Sequence, residues 1–146
     1  MNEFEHVVEL AVKSASDALL QLTGSVHMET RWAEILPTLS IAGRVEHPET
    51  RSLAAYIDIS GEQPGRGLLL INADDAMILV DLVLGKTPGE TTDFGELELS
   101  ALLEMANIVT SNYINAIADY LGCTLHPNPP AFACDMAGAI LQQTIC

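Results

Sequence analysis

The sequence predicts an α+β domain, with helices packed on a largely antiparallel sheet and arranged as two pseudo-symmetric halves. Three observations carry the expectation. Residues 98–122 read as an amphipathic helix: Ser100, Glu104, Asn107, Ser111 and Asn115 recur every three or four positions, and Leu99, Leu102, Leu103, Ala106, Val109, Tyr113, Ile117 and Leu121 form the other face. The N-terminal segment can be laid on that helix at an offset of 95 residues, which places Glu9 on Glu104, Ala11 on Ala106, Ser16 on Ser111 and Asp17 on Asn112. Between the two helices, short apolar runs alternate with turn residues, as strands do.

The elements follow in order. A first helix spans about residues 3–22 and is closed by Gly24. A short extended run is expected near residues 26–30, and a strand over 38–45. The turn formed by His47, Pro48, Glu49 and Thr50 leads into a strand over 53–59. After a turn at 61–65, the continuous apolar run 67–71 reads as a central strand. Asn72 or Asp74 then caps a helix carrying Ala76, Ile78, Leu79, Leu82 and Val83, which Gly85 ends. The loop 86–94, containing Pro88 and Gly89, separates the repeat halves, about 1–85 and 95–146, without being long enough to link independent domains. Past Gly122, residues 123–125 form a short strand. Pro127, Pro129 and Pro130 impose an extended path, since each disfavours helix at the residue before it. Pro130 is thus a rigid turn, and residues 131–146 read as a final helix.

Composition narrows the function. A chain of 146 residues, 49% hydrophobic, suffices for one domain burying ~68–70% of its unfolded surface. Its net charge of −14 repels phosphate backbones and anionic membranes, which disfavours nucleic-acid binding. The same charge suits a partner with a basic docking face; plain solubility and a salt-adapted host are the alternatives. No apolar stretch reaches the ~18–20 residues of a membrane span, and the N-terminus has no basic region before an apolar one, so a cytoplasmic location is expected. Cys123, Cys134 and Cys146 are odd in number and unpaired in spacing, and are expected to be small buried apolar residues. His6, His27, His47 and His126 fall into no zinc-binding spacing, and neither a nucleophile elbow nor a glycine-rich phosphate loop is present.

The polar stripe is chemically unusual, because solvated helix faces favour Lys, Glu, Gln or Arg, whereas Asn in a helix interior costs roughly 0.7 kcal/mol relative to Ala. A carboxylate and a carboxamide three residues apart, both facing out, form a preset array. The amide can accept a proton from water while donating to an anionic oxygen, the geometry needed to aim a nucleophilic water at phosphorus. Taken alone, such a stripe is also what a merely wet helix face looks like.

The longer pattern is more specific: Ser100, three residues, Glu104, two residues, Asn107, then 22 residues and Pro130. It resembles the signature of the CheC/CheX/FliY family of chemotaxis phosphatases, closest to CheC-like members, and the likeness runs on through Asp119, Gly122 and Pro129. The resemblance implies a single CheC-like domain over 1–146 that dephosphorylates a phosphorylated CheY-type response regulator. Asn107 would orient the attacking water in line with the aspartyl phosphate, and Glu104 would engage a lysine of the regulator. Ser100 would either orient Glu104 or line the contact face, and Ser111 would line that face. The chain would need no cofactor of its own, since the regulator brings the acyl phosphate and Mg²⁺. A CheD-like deamidase is a further partner that the family suggests.

The first repeat departs from the pattern. Val12 stands where Asn107 would be and Glu5 where Ser100 would be, so one live site is expected, on the second helix. Family members continue past the equivalent of the last helix with further strands; without them, an exposed sheet edge would invite pairing into a homodimer. The competing reading is a non-catalytic binding module, or a flagellar switch or adaptor component, that docks a response regulator or a CheD-like partner. There Asn107 would be dispensable and Glu104 would still matter. A stripe without any role would make neither residue matter.

Overall fold

The computed structural model describes residues 2–145. Two long antiparallel helices form one layer. α1 (Glu3–Thr23) begins with a reciprocal cap in which Asn2 Oδ1 accepts from the Glu5 amide (2.8 Å) and Glu5 Oε2 from the Asn2 amide (3.3 Å). α3 (Glu96–Leu121) ends at Gly122 in the left-handed conformation. Ala11 and Ala106, matched by the 95-residue offset, are both fully buried, as is Ala15. The rings of His6 and Tyr120 meet edge-on at 5.6 Å where the start of α1 reaches the end of α3.

Beneath this layer lies an antiparallel sheet with β1 (Arg51–Gly61) at its centre. β2 (Gly65–Asn72) pairs along one side, with Ala55 opposite Leu69 and Ile57 opposite Gly67. On the other side run β3 (Leu125–Pro127) and β4 (Ala131–Met136), effectively one strand interrupted at residues 128–130. Alternation along β1 sends Leu53, Ala55 and Ile57 towards the helices, where Leu19, Leu102, Met105, Ala106 and Val109 complete the core. Ser52 and Ala54, on the opposite face, are buried too. α4 (Ala137–Ile145) contributes the buried Ala137, Ile140 and Leu141, and Leu141 shares a groove with Tyr56, Leu68 and Ala133 of that face. α2 (Ala73–Val83), capped by Asn72 Oδ1 on the Asp75 amide (2.8 Å), packs Ala76 and Val80 into the core shared with α3. The sequence helix, strand, strand, helix therefore occurs twice along the chain.

Five expectations are corrected. Residues 38–45 form two single 3₁₀ turns, Thr38–Ser40 and Ala42–Arg44, because no neighbouring strand offers them a ladder. The apolar run 67–71 belongs to an edge strand; it is continuous because both faces of β2 are partly covered. The short strand after Gly122 begins at Leu125, two residues later than expected. Residues 131–136 are strand rather than helix, held by pairing of Ala131 with Tyr56 through Met136 with Arg51, so tertiary pairing overrides the helix propensity of the alanines. Cys134, on that strand, is exposed and Cys123 half-buried, against the expected burial of both; Cys146 lies outside the described residues. No helix among the described residues is long and apolar enough to cross a membrane.

Candidate functional site

The stripe predicted from the sequence lies on α3. Leu102, Met105, Ala106 and Val109 are buried on the inner side of the helix, and this fixes its backbone against the sheet and α1. Ser100, Glu104 and Asn107 consequently point outward and are exposed, while Ser111, one turn further on, is half-buried. Glu104 and Asn107 straddle Met105 and Ala106, two of the least accessible residues in the molecule, so the exposed pair stands on an immobile base.

Hydrogen bonding along this turn is handled by the neighbours. Thr110 Oγ1 donates to the Ala106 carbonyl (2.6 Å) and more weakly to that of Asn107 (3.4 Å), and Asn112 Nδ2 donates to the Ile108 carbonyl (2.7 Å). Among the described residues, no side chain binds the carboxylate of Glu104 or the carboxamide of Asn107. Both remain available to a partner. Asn112, by contrast, is occupied by its own helix, which explains one of the mid-helix asparagines without any function.

The start of α3 is held firmly. Glu98 Oε2 accepts from the Gly95 amide (3.1 Å), and its other oxygen lies 4.0 Å from Lys86 Nζ. The preceding loop is clasped by Asp81 of α2, whose buried carboxylate accepts from the amides of Gly89 (2.9 Å) and Thr91 (3.1 Å) and from the Thr91 hydroxyl. That hydroxyl, then the two amides and the Lys86 charge, hold the Asp81 carboxyl below the usual carboxylate value despite its burial. Deeper along α3, burial pushes the Tyr113 phenol above its ordinary value.

Two residues of this region escaped the sequence reading. Leu97, one turn before Ser100 on the same face, is 59% exposed and prolongs the stripe with an apolar contact; its spacing was visible, its exposure was not. Asp81 was overlooked within the apolar run Ile78, Leu79, Leu82, Val83, where a lone carboxylate signals a buried clasp. Leu121, assigned to the packed face, is 56% exposed. Pro130 is half-buried in the break between β3 and β4, where the Asn128 amide donates to the Asp58 carbonyl (2.9 Å); the chain keeps its direction along β1 there, so the expected turn is instead an interruption within one extended path. In the first repeat Glu9 is exposed like Glu104, whereas Val12, in the place of Asn107, is half-buried.

The CheC-like family matches residues 97–133, the stretch holding the stripe and Pro130. Over 98% of its length the chain is 23% identical to the CheY-P phosphatase CheC of Bacillus subtilis (strain 168), covering 70% of that protein. Among solved structures it is similar to Thermotoga maritima FliY (TM-score 0.77, 18% identity, 92% of this chain and 70% of that one). It is also similar to CheX in the CheX–CheY–BeF3–Mg²⁺ complex of Borrelia burgdorferi (TM-score 0.54, 16% identity, 90% of this chain and 77% of that one). The chain thus shares an α+β fold with these solved structures and, over the stretch that carries the α3 stripe, is similar to the CheC-like family.

Proposed function

We propose that the chain is a protein phosphatase acting on the aspartyl phosphate of a CheY-type response regulator. The observation that carries this reading is the exposure of Glu104 and Asn107 side by side on a rigid face of α3, with Ser100 beside them. An exposed carboxamide without an internal partner is the group that can enter another protein's site. There its carbonyl oxygen accepts a hydrogen bond from water and orients a lone pair of that water at phosphorus. Glu104 supplies an anionic contact for a cation on the regulator, and Ser100 and Ser111 line the contact face. The regulator contributes the acyl phosphate and the Mg²⁺ that neutralises its oxygens; this chain contributes position. In the reaction, water adds to phosphorus, the bond between phosphorus and the aspartyl oxygen breaks, and inorganic phosphate leaves with the carboxylate restored.

The test compares dephosphorylation of a phosphorylated CheY-type regulator by the wild type and by Asn107→Ala at equal occupancy. Loss of one transition-state contact is expected to slow hydrolysis roughly 10²–10³-fold with docking retained. Docking without any acceleration by the wild type would refute hydrolysis and leave a binding module.

A further inference from the structure

The face of α3 that carries Glu104 and Asn107 has an apolar side. At about 100° per residue around the helix axis, Leu97, Ala101 and Ile108 fall within about 40° of one another. Glu104 stands between them and the polar line of Ser100, Asn107 and Ser111. Leu97 is 59% exposed, and Ala101 and Ile108 are half-buried. The three form a seam about 17 Å long that starts beside Asn107 and runs back to the first turn of the helix. That turn is fixed from below. The Glu98 carboxylate accepts from the Gly95 amide (3.1 Å), and Phe94 packs on the core with the Arg51 guanidinium 5.6 Å over its ring. Covering Leu97 therefore costs little backbone freedom.

The first repeat supplies an internal comparison. At the 95-residue offset, Leu97, Ala101 and Ile108 fall on Asn2, His6 and Lys13, all polar and all exposed. α1 has the carboxylate at Glu9 but neither the amide nor the seam. The seam thus accompanies the Glu104 and Asn107 pair and is no general property of the repeated helix.

We infer that this seam is the apolar half of the docking surface, and that it holds a response regulator through an aliphatic or aromatic side chain about 15 Å from the acyl phosphate. The inference rests on the reading of α3 as the face that meets the regulator, and adds the chemistry by which that partner is held. Leu97 lies ten residues from Asn107, about 15 Å along the axis, too far to touch the reacting atoms. It sets affinity and leaves hydrolysis to Asn107. Carboxylates on this surface attract a basic partner, but at physiological salt that attraction is screened beyond about 8 Å. Burial of Leu97 supplies a contact that salt does not weaken.

The probe is a CheY-type regulator loaded with BeF3 and Mg²⁺, titrated calorimetrically into the full chain; hydrolysis of the phosphorylated regulator is measured separately at saturation. Leu97→Gln keeps the net charge and the helix propensity. It is expected to raise Kd roughly 10–100-fold, the range for burying one leucine side chain, and to keep the saturated rate within about twofold of the wild type. Leu97→Met should bind within about threefold of the wild type. Leu39→Gln, at an 84% exposed leucine on the Thr38–Ser40 turn, is the control and should bind as the wild type does. An unchanged Kd for Leu97→Gln, or an equal loss in Leu39→Gln, would overturn the inference. So would a saturated rate that falls along with the affinity, since Leu97 would then act on the reacting groups. A wild type that binds the regulator without hydrolysing it refutes the phosphatase reading and leaves the seam to be judged on Kd; one that does not bind refutes both.

Discussion

At Gly61 the chain leaves β1 with φ 120°, and a Cβ built there would collide with the carbonyl oxygen of Thr124. The two backbones are this close because Glu62 and Thr124 bind each other twice: the Glu62 amide donates to the Thr124 carbonyl (2.9 Å) and the Thr124 amide to Glu62 Oε2 (2.8 Å). Gly61→Ala is therefore expected to cost more than about 2 kcal/mol, from the disfavoured φ and the backbone clash together, read as a lowered urea midpoint at unchanged slope. Gly65→Ala, where no heavy atom lies within 4 Å and φ is ordinary, is the control and should stay within about 0.5 kcal/mol of the wild type. Equal effects at the two positions would remove the steric argument. The same distinction separates what single residues of the site revealed. Glu104 and Asn107 were legible because helical spacing fixes which side chains share a face. The run of residues 28–34 beside α1 was not, because its position depends on an irregular segment folding back across twelve residues, from Met28 to Ser16.

Among the elements, helices were legible wherever periodicity and caps agreed. α1, α2 and α3 appear close to where their stripes, Asn72 and Gly122 place them. Strands that depend on a distant partner were not. β4 contains Ala131, Ala133 and Cys134, residues that fit a helix as well as a strand, and only β1, some 80 residues earlier, decides between them. The link between the two repeats is likewise decided by one contact, the Asp81 clasp on loop 86–94. Asp81→Asn, which keeps the shape but not the charge, is expected to speed hydrogen exchange at the Gly89 and Thr91 amides while the Leu102 and Val109 amides stay protected. The pH dependence has a definite sign. The Asp81 carboxyl is more acidic folded than unfolded, so its contribution to stability is complete above the ordinary value of about 4 and is lost as pH falls through the lower folded value. Acid unfolding of Asp81→Asn should thus show a shallower fall in melting temperature below about pH 4 than the wild type; parallel curves would rule the clasp out as an acid-sensitive element.

For the molecule as a whole, a formal charge of −14 on 146 residues means that carboxylates repel one another across most of the surface, with six Lys and Arg residues to offset them. Screening such repulsion favours the compact state. The melting temperature at neutral pH is expected to rise as salt increases from about 10 to about 150 mM, where the Debye length shortens from about 30 to 8 Å. A falling melting temperature would mean that attractive pairs such as Glu34 with Arg44 outweigh the net repulsion.

β1 has a further consequence at this scale. Its neighbour on one side, β2, follows immediately, but its other neighbours, β3 and β4, come about 65 residues or more later in the chain, and α1 takes most of its cover from α3. During synthesis, at roughly 5–20 residues per second, the nascent chain reaches α2 several seconds before β4 has been made. For that interval the side of β1 that β4 will occupy is unpaired and the part of α1 that α3 will cover is exposed, an apolar surface beside an open strand edge on a ribosome-bound chain. The shared sheet that makes the finished protein one unit also leaves its first half with a sticky, unfinished edge until the second half arrives.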